Sequence, residues 1–160
     1  MIALPLLHQR EIEAGVIAPL IRAFAREIGE ERARKLLAST IDDLARNAGC
    51  TAAAALGGNG LSELKRAVES WTAGGALELT VLRDDAEAFE FNVTRCQFAV
   101  MYHRLGLVDL GSLLSCRRDG EMIAGFNPAI RFTRTQTIME GATHCDFRYR
   151  LTTSPSSATV

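Results

Sequence analysis

Three of the four cysteines in this 160-residue chain stand where a thiol could do chemistry. Thr94-Arg95-Cys96-Gln97 reads as a capping box, with Thr94 as N-cap and Gln97 at N3. That would put Cys96 in the first turn of a helix, where free amides and the positive dipole end lower a thiol pKa. The plainer alternative is a cysteine packed under Phe98. Cys116 has Arg117 and Arg118 beside it and Asp119 three residues on. The arginines favour a thiolate, and the aspartate opposes it unless it serves as the proton acceptor. Cys145 alternates with Phe147, Tyr149 and Leu151 and so points inward, as core or as the floor of a pocket. His144, Asp146, Arg148 and Arg150 take the opposite face. Over Ala129–Ile138, Arg134 and Gln136 interrupt a stripe of Ile130, Phe132 and Ile138. A guanidinium on such a face needs a carboxylate, from Asp119, Asp146 or a ligand.

Other motifs carry less. No Cys-x-x-Cys pair exists, and His8, His103 and His144 have no spacing partners, so no metal or cofactor is expected. His103 follows Cys96 by seven residues, roughly 10 Å along a helix, too far for a direct pair. Gly57-Gly58-Asn59-Gly60 follows no strand and lacks the Lys-Ser/Thr of a phosphate loop.

These residues need elements to position them. Ile12, Val16, Leu20, Phe24 and Ile28 line one helix face, with Pro19 expected to kink or restart the helix and Gly29 to end it. Ala33, Leu37, Ile41, Leu44 and Ala48 form a second run, closed by Gly49 and followed by a small-residue stretch and a glycine loop. Leu61, Leu64, Val68 and Trp71 form a third. The period then switches to two. Ala76–Arg83 and Glu87–Thr94 around Asp84-Asp85 read as one β-hairpin, and Ala129–Ile138 with His144–Leu151 as another. Between them lie a helix over Arg95–Leu105 and a short one over Asp109–Cys116. The expected fold is α+β, N-terminal helices packed on an antiparallel sheet built from two β-hairpins. One domain is expected over 1–152, with the small polar segment 153–160 as a disordered tail.

Eighteen basic and nineteen acidic residues leave a net charge of -1, without the basic surplus of a nucleic-acid binder. No stretch has the length and apolarity of a membrane span, and the first residues make a poor signal peptide. The expected setting is the cytoplasm, with reduced thiols and a small-molecule substrate. Self-association into a homo-oligomer is left open.

Asn92-Val93-Thr94-Arg95-Cys96, then Cys116-x-x-Asp119, Phe132-x-Arg134-Thr135-x-Thr137, Gly141 and Cys145-Asp146-Phe147 form an ordered set. Over roughly residues 90–150 this set resembles the L-2-amino-thiazoline-4-carboxylic acid hydrolase family. Ile138-Met139 stands where a leucine-alanine-like pair is expected, and the chain is short for the family. The resemblance implies hydrolytic opening of a cyclic isothiourea to N-carbamoyl-L-cysteine. Cys116, Asp119, Cys96, Cys145 and Asp146 would be the catalytic set, and Arg134, Thr135, Thr137 and Asn92 the substrate-binding set. Arg134 would hold a substrate carboxylate through its planar fork. Thr135 and Thr137 fall on the strand face opposite Arg134, so a flat strand cannot turn all three to one pocket. Cys116 with Asp119 is the first choice of nucleophile and base, Cys96 the second, and Cys145 a pocket wall. The competing readings are a thiolate-rich metal centre and a binding module without chemistry.

Overall fold

In the computed structural model, which describes residues 4–152, helices dominate the first half and an antiparallel sheet the second. The expected tail lies outside the described residues. Helix α1 (Leu6–Ile28) continues through Pro19 and ends at Gly29, whose φ of 87° suits glycine. It turns Ala14, Ala18 and Ile21 inward. The four-residue stripe faces out instead, with Ile12 60% and Leu20 51% exposed. Strict i, i+4 spacing drifts around a 3.6-residue helix, so a regular stripe need not be the buried one.

Helix α2 (Glu30–Leu56) runs on through Gly49, where the sequence reading closed it. A Cβ on Gly49 would lie 2.0 Å from the Met122 carbonyl oxygen, and one on Gly125 2.0 Å from that of Arg46. The glycines therefore serve a close helix crossing and not a stop. Helix α3 (Leu61–Trp71) follows the glycine loop. No helix among the described residues is long and apolar enough to cross a membrane.

Strands β1 (Leu77–Asp84) and β2 (Ala88–Cys96) form the first hairpin. Asp85 Oδ1 closes its turn by accepting the Glu87 and Ala88 amides, both at 2.9 Å. Helix α4 (Gln97–Arg104) starts where β2 stops. Helix α5 (Val108–Gly111) passes through a π turn at Ser112–Cys116 into helix α6 (Arg118–Phe126). Strands β3 (Ile130–Thr133) and β4 (Cys145–Leu151) complete a sheet of order β1-β2-β4-β3, every neighbour antiparallel. The α+β arrangement expected from the sequence is the one found.

One sheet face is covered by helices and carries Phe89, Phe91, Val93, Cys145, Phe147 and Tyr149, all buried. Phe91 stacks on Phe147 at 5.0 Å and Phe132 on Tyr149 at 4.9 Å between centroids. This aromatic layer makes a firm floor for what lies above it.

Candidate active site

A cavity of about 360 Å³ lies between that floor and the helices. Val93, Cys145 and Phe147 line it from the sheet, Ala52 and Leu56 from α2, Ala67 and Trp71 from α3, and Met122 from α6. Carbon dominates the lining. Cys96, Cys116, Asp119 and Arg134 face the same space.

Each arrives by a different route. Cys145 is opposite Val93 in the β2–β4 ladder, so the pleat aims both at the cavity. Its sulfur accepts the Ile138 amide at 3.2 Å. Cys96 is the last residue of β2 and the N-cap of α4, with φ −132° and ψ 106°. It is therefore not in the first helical turn: Thr94 and Arg95 remain in the strand, where Arg95 pairs with Glu78. Cys116 ends the π turn, which the Arg117 amide closes by reaching the Ser112 carbonyl at 2.9 Å. π turns recur at functional sites because one inserted residue redirects the side chains beyond it. Asp119 follows one turn later on α6. A helix over 118–126 is hidden in the sequence by Gly120 and Gly125, and only Met122, Ile123 and Phe126 hint at it.

Strand β3 ends at Thr133, short of the expected Ile138. Arg134 then turns inward, donating to Asp119 and, at 3.0 Å, to the Cys116 carbonyl. Its guanidinium carbon lies 5.7 Å from the Phe132 ring centroid and 5.2 Å from that of Phe147. What ends the strand is Asp146. Its Oδ1 accepts the Thr135 and Gln136 amides, both at 2.9 Å, and its Oδ2 the Thr135 hydroxyl at 2.7 Å. These bonds replace the ladder and remove the conflict between Arg134 and its threonine neighbours.

The electrostatics separate these groups sharply. Burial pushes the Asp119 carboxyl up to about 6, against the pull of Arg134, Arg10 and Arg118. Its side chain keeps 25% exposure, to the cavity. Burial also raises all three thiols. Cys116 is raised furthest, because the Asp119 charge adds to burial and the nearby Arg134 only partly offsets it. The arginines expected to help it are occupied elsewhere: Arg117 forks onto Asp42 at 2.7 and 2.8 Å, and Arg118 reaches Glu13. For Cys96, burial outweighs the Ala99 and Phe98 amides at the start of α4. At Asp146 burial works upward, but the Thr135 hydroxyl and the amides of Gln136 and Thr135 win and hold it low.

Four of the five expected catalytic residues thus share one cavity, and Asp146 does not. Nor do three of the expected substrate-binding residues. Asn92 sits on the outer sheet face, accepting from Arg148 at 2.9 Å. Thr135 is bound to Asp146, and Thr137 is buried as the cap of a short turn, donating to Glu140 at 2.7 Å. Among the described residues, no three His, Cys, Asp or Glu side chains gather as a metal site would require. Arg10, Ser115 and Arg118 also line the cavity, although the sequence marks only Arg118 among them, and only as a thiolate-favouring neighbour of Cys116. Nothing in their spacing signals it, because α1 and α6 meet only in the fold.

The model of the L-2-amino-thiazoline-4-carboxylic acid hydrolase family matches residues 9–149. The chain belongs to this family. The hydrolase family match therefore extends over the N-terminal helices, beyond the motifs first seen in the second half. No curated protein matches the chain. Among solved structures, it is similar to the phenol-responsive sensory domain of the transcription activator PoxR, crystallised with phenol. The TM-score is 0.54 at 16% identity, covering 94% of this chain and 76% of that one. At that identity the likeness is one of fold.

Proposed function

We propose that this member of the hydrolase family opens a small cyclic isothiourea or related ring, of the kind represented by L-2-amino-thiazoline-4-carboxylate, and that Asp119 carries the proton. The observation behind this reading is a carboxyl whose pKa of about 6 lies near neutrality, in one cavity with three thiols. A general base works best when its pKa lies near the working pH. A nucleophile adds to C2 of the ring as Asp119 takes its proton. The C2–S bond then breaks, and protonated Asp119 returns the proton to the departing sulfur. With water as the nucleophile, or with a thiol followed by water, the sum is one water added and a carbamoyl thiol formed.

Among the thiols, Cys96 is favoured over the expected Cys116. Cys96 has the first amides of α4 beside it. Cys116 has the Asp119 charge beside it, which opposes a thiolate. The test is turnover of L-2-amino-thiazoline-4-carboxylate by purified wild-type protein and by Cys96→Ser and Cys116→Ser. Ring opening that Cys96→Ser abolishes and Cys116→Ser reduces less supports the reading. No ring opening by wild type sinks it.

A second reading has its own support. A carbon-rich cavity with three neutral thiols also suits a binding module that holds a small cyclic ligand without changing it, as the PoxR domain holds phenol. Saturable binding of the thiazoline with no product would favour it.

A further inference from the structure

The cavity wall holds a second charged cluster, and its charges do not balance. Arg10 of α1 and Arg118 of α6 both pair with one carboxylate, Glu13. Arg10 Nη1 meets both Glu13 oxygens at 2.7 Å, and Arg118 Nη2 meets Oε2 at 3.0 Å. Arg118 Nε donates to the Leu114 carbonyl at 2.7 Å. Arg10 Nε and Nη2 and Arg118 Nη1 have no partner among the described residues. Both guanidiniums are largely buried, at 15% and 11% side-chain exposure, and both face the cavity. The contrast with Arg134 and Asp119, a one-to-one pair in the same cavity, is direct. Two cations on one anion leave one positive charge in a low-dielectric wall, which is costly unless an anion answers it. Burial and the neighbouring Arg10 charge lower the Arg118 pKa, and Glu13, Tyr102 and Asp119 offset them only in part.

We infer that Arg10 and Arg118 form an anion subsite that holds the carboxylate of a small, otherwise largely apolar ligand, and that Arg134 is not that anchor. Arg134 already spends its fork on Asp119 and the Cys116 carbonyl. Arg118 adjoins Asp119 on α6, so a carboxylate at the subsite leaves a ring within the apolar space beside Asp119 and the thiols. Ser115 lines the same wall, but its one hydroxyl proton goes to the Tyr102 hydroxyl at 3.2 Å, which leaves the two guanidiniums as the donors for an anion. The inference rests on the proposed use of the cavity as a ligand pocket, but not on turnover.

The experiment compares anionic and neutral partners of like shape by titration calorimetry on the full chain. One pair is L-2-amino-thiazoline-4-carboxylate and its methyl ester, the other benzoate and benzamide. In at least one pair the acid should bind tenfold or more tightly than the neutral compound. Arg118→Met and Arg10→Met should each cut acid binding at least tenfold and leave the neutral compound unchanged. Glu13→Gln removes the competing carboxylate and should tighten acid binding severalfold, a gain that misfolding cannot mimic. If neither pair shows a preference for the acid, whether through equal affinity or no binding, the subsite is overturned. The same holds if Glu13→Gln leaves or weakens acid binding. An acid that binds through these arginines without ring opening keeps the subsite and removes the proposed reaction. Ring opening with equal KM for acid and ester does the reverse.

Discussion

Asp119 and Asp146 are the same side chain on the two sides of one wall. Asp119 projects from α6 into a carbon-lined cavity and is pushed up to about 6. Asp146 sits on the outer face of β4, one residue from the cavity-lining Cys145, and is held low by the Thr135 hydroxyl and backbone amides. Both belong to the sequence motifs, yet the fold turns Asp119 toward the cavity and leaves Asp146 bonded to the backbone that ends β3. A motif can thus mix residues that meet a ligand with residues that hold those residues in place. Asp146 ends β3 early, and that turn swings Arg134 toward Asp119.

The largest effect is expected at Asp119. Asp119→Asn keeps the shape and removes the proposed base, so turnover should fall by about 10²–10⁴-fold. In wild type, kcat/KM should lose activity as pH drops through about 6, the pKa of the free carboxyl. The variant's residual rate should lack that limb. Measured pH–rate profiles of the two proteins check this, and a limb shared by both would move the proton carrier elsewhere.

Arg134 comes next. Arg134→Met leaves a buried carboxylate without its partner, which costs about 3–5 kcal/mol. Urea unfolding of this variant and of the double variant with Asp119→Asn tests the coupling. The double variant should recover part of the loss, because removing both charges is cheaper than stranding one. Simple addition of the two losses would mean that the pair is not coupled.

How far this division could be seen beforehand depends on where the signals are written. The period-two alternation of β4 shows plainly that Cys145 and Asp146 face opposite ways, because a pleat leaves no other choice. The α+β order and the first hairpin are equally local. The end of β3 is not. Thr135 and Gln136 continue an alternating pattern, and only hydrogen bonds to a residue ten or eleven positions away break it. Helix α6 escapes notice because Gly125 is chosen for contact with α2 at the expense of helix propensity. The regular stripe on α1 misleads in the other direction, since Ala14, Ala18 and Ile21 form the buried face. Arg10 and Arg118 become a pair only when α1 and α6 meet.

A smaller effect is expected on the outer face. Asp146→Ala removes the acceptors of three hydrogen bonds from Thr135 and Gln136, and should cost about 1–3 kcal/mol of stability. Turnover by the folded variant should fall less than tenfold, because Arg134 also has the Phe132 and Phe147 rings and Asp119 to hold it. Thermal unfolding and kinetics on one preparation separate the two. A loss of activity as deep as that of Asp119→Asn would return Asp146 to the catalytic set.

The smallest effect is Asp146→Asn, which keeps one acceptor oxygen for the Thr135 and Gln136 amides and loses the charge and the acceptor of the Thr135 hydroxyl. Its sign follows from linkage. The folded pKa of Asp146 lies below its unfolded value, so the unfolded state binds the proton more tightly. The stability it contributes is fully present above the unfolded carboxylate pKa of about 4, and is lost as pH falls through the depressed folded value. The gap in melting temperature between wild type and Asp146→Asn should therefore be constant at neutral pH and close below about pH 4. Asp119 carries the opposite sign. Its folded pKa lies above the unfolded one, so its ionised form costs stability at neutral pH, and that cost is relieved between about 6 and the unfolded value. Asp119→Asn should consequently gain on wild type at neutral pH relative to pH 4, once its lost bond to Arg134 is included as a constant offset. Melting curves of the three proteins across pH read both slopes together. Two slopes of the same sign would mean that the wall does not separate the two carboxylates.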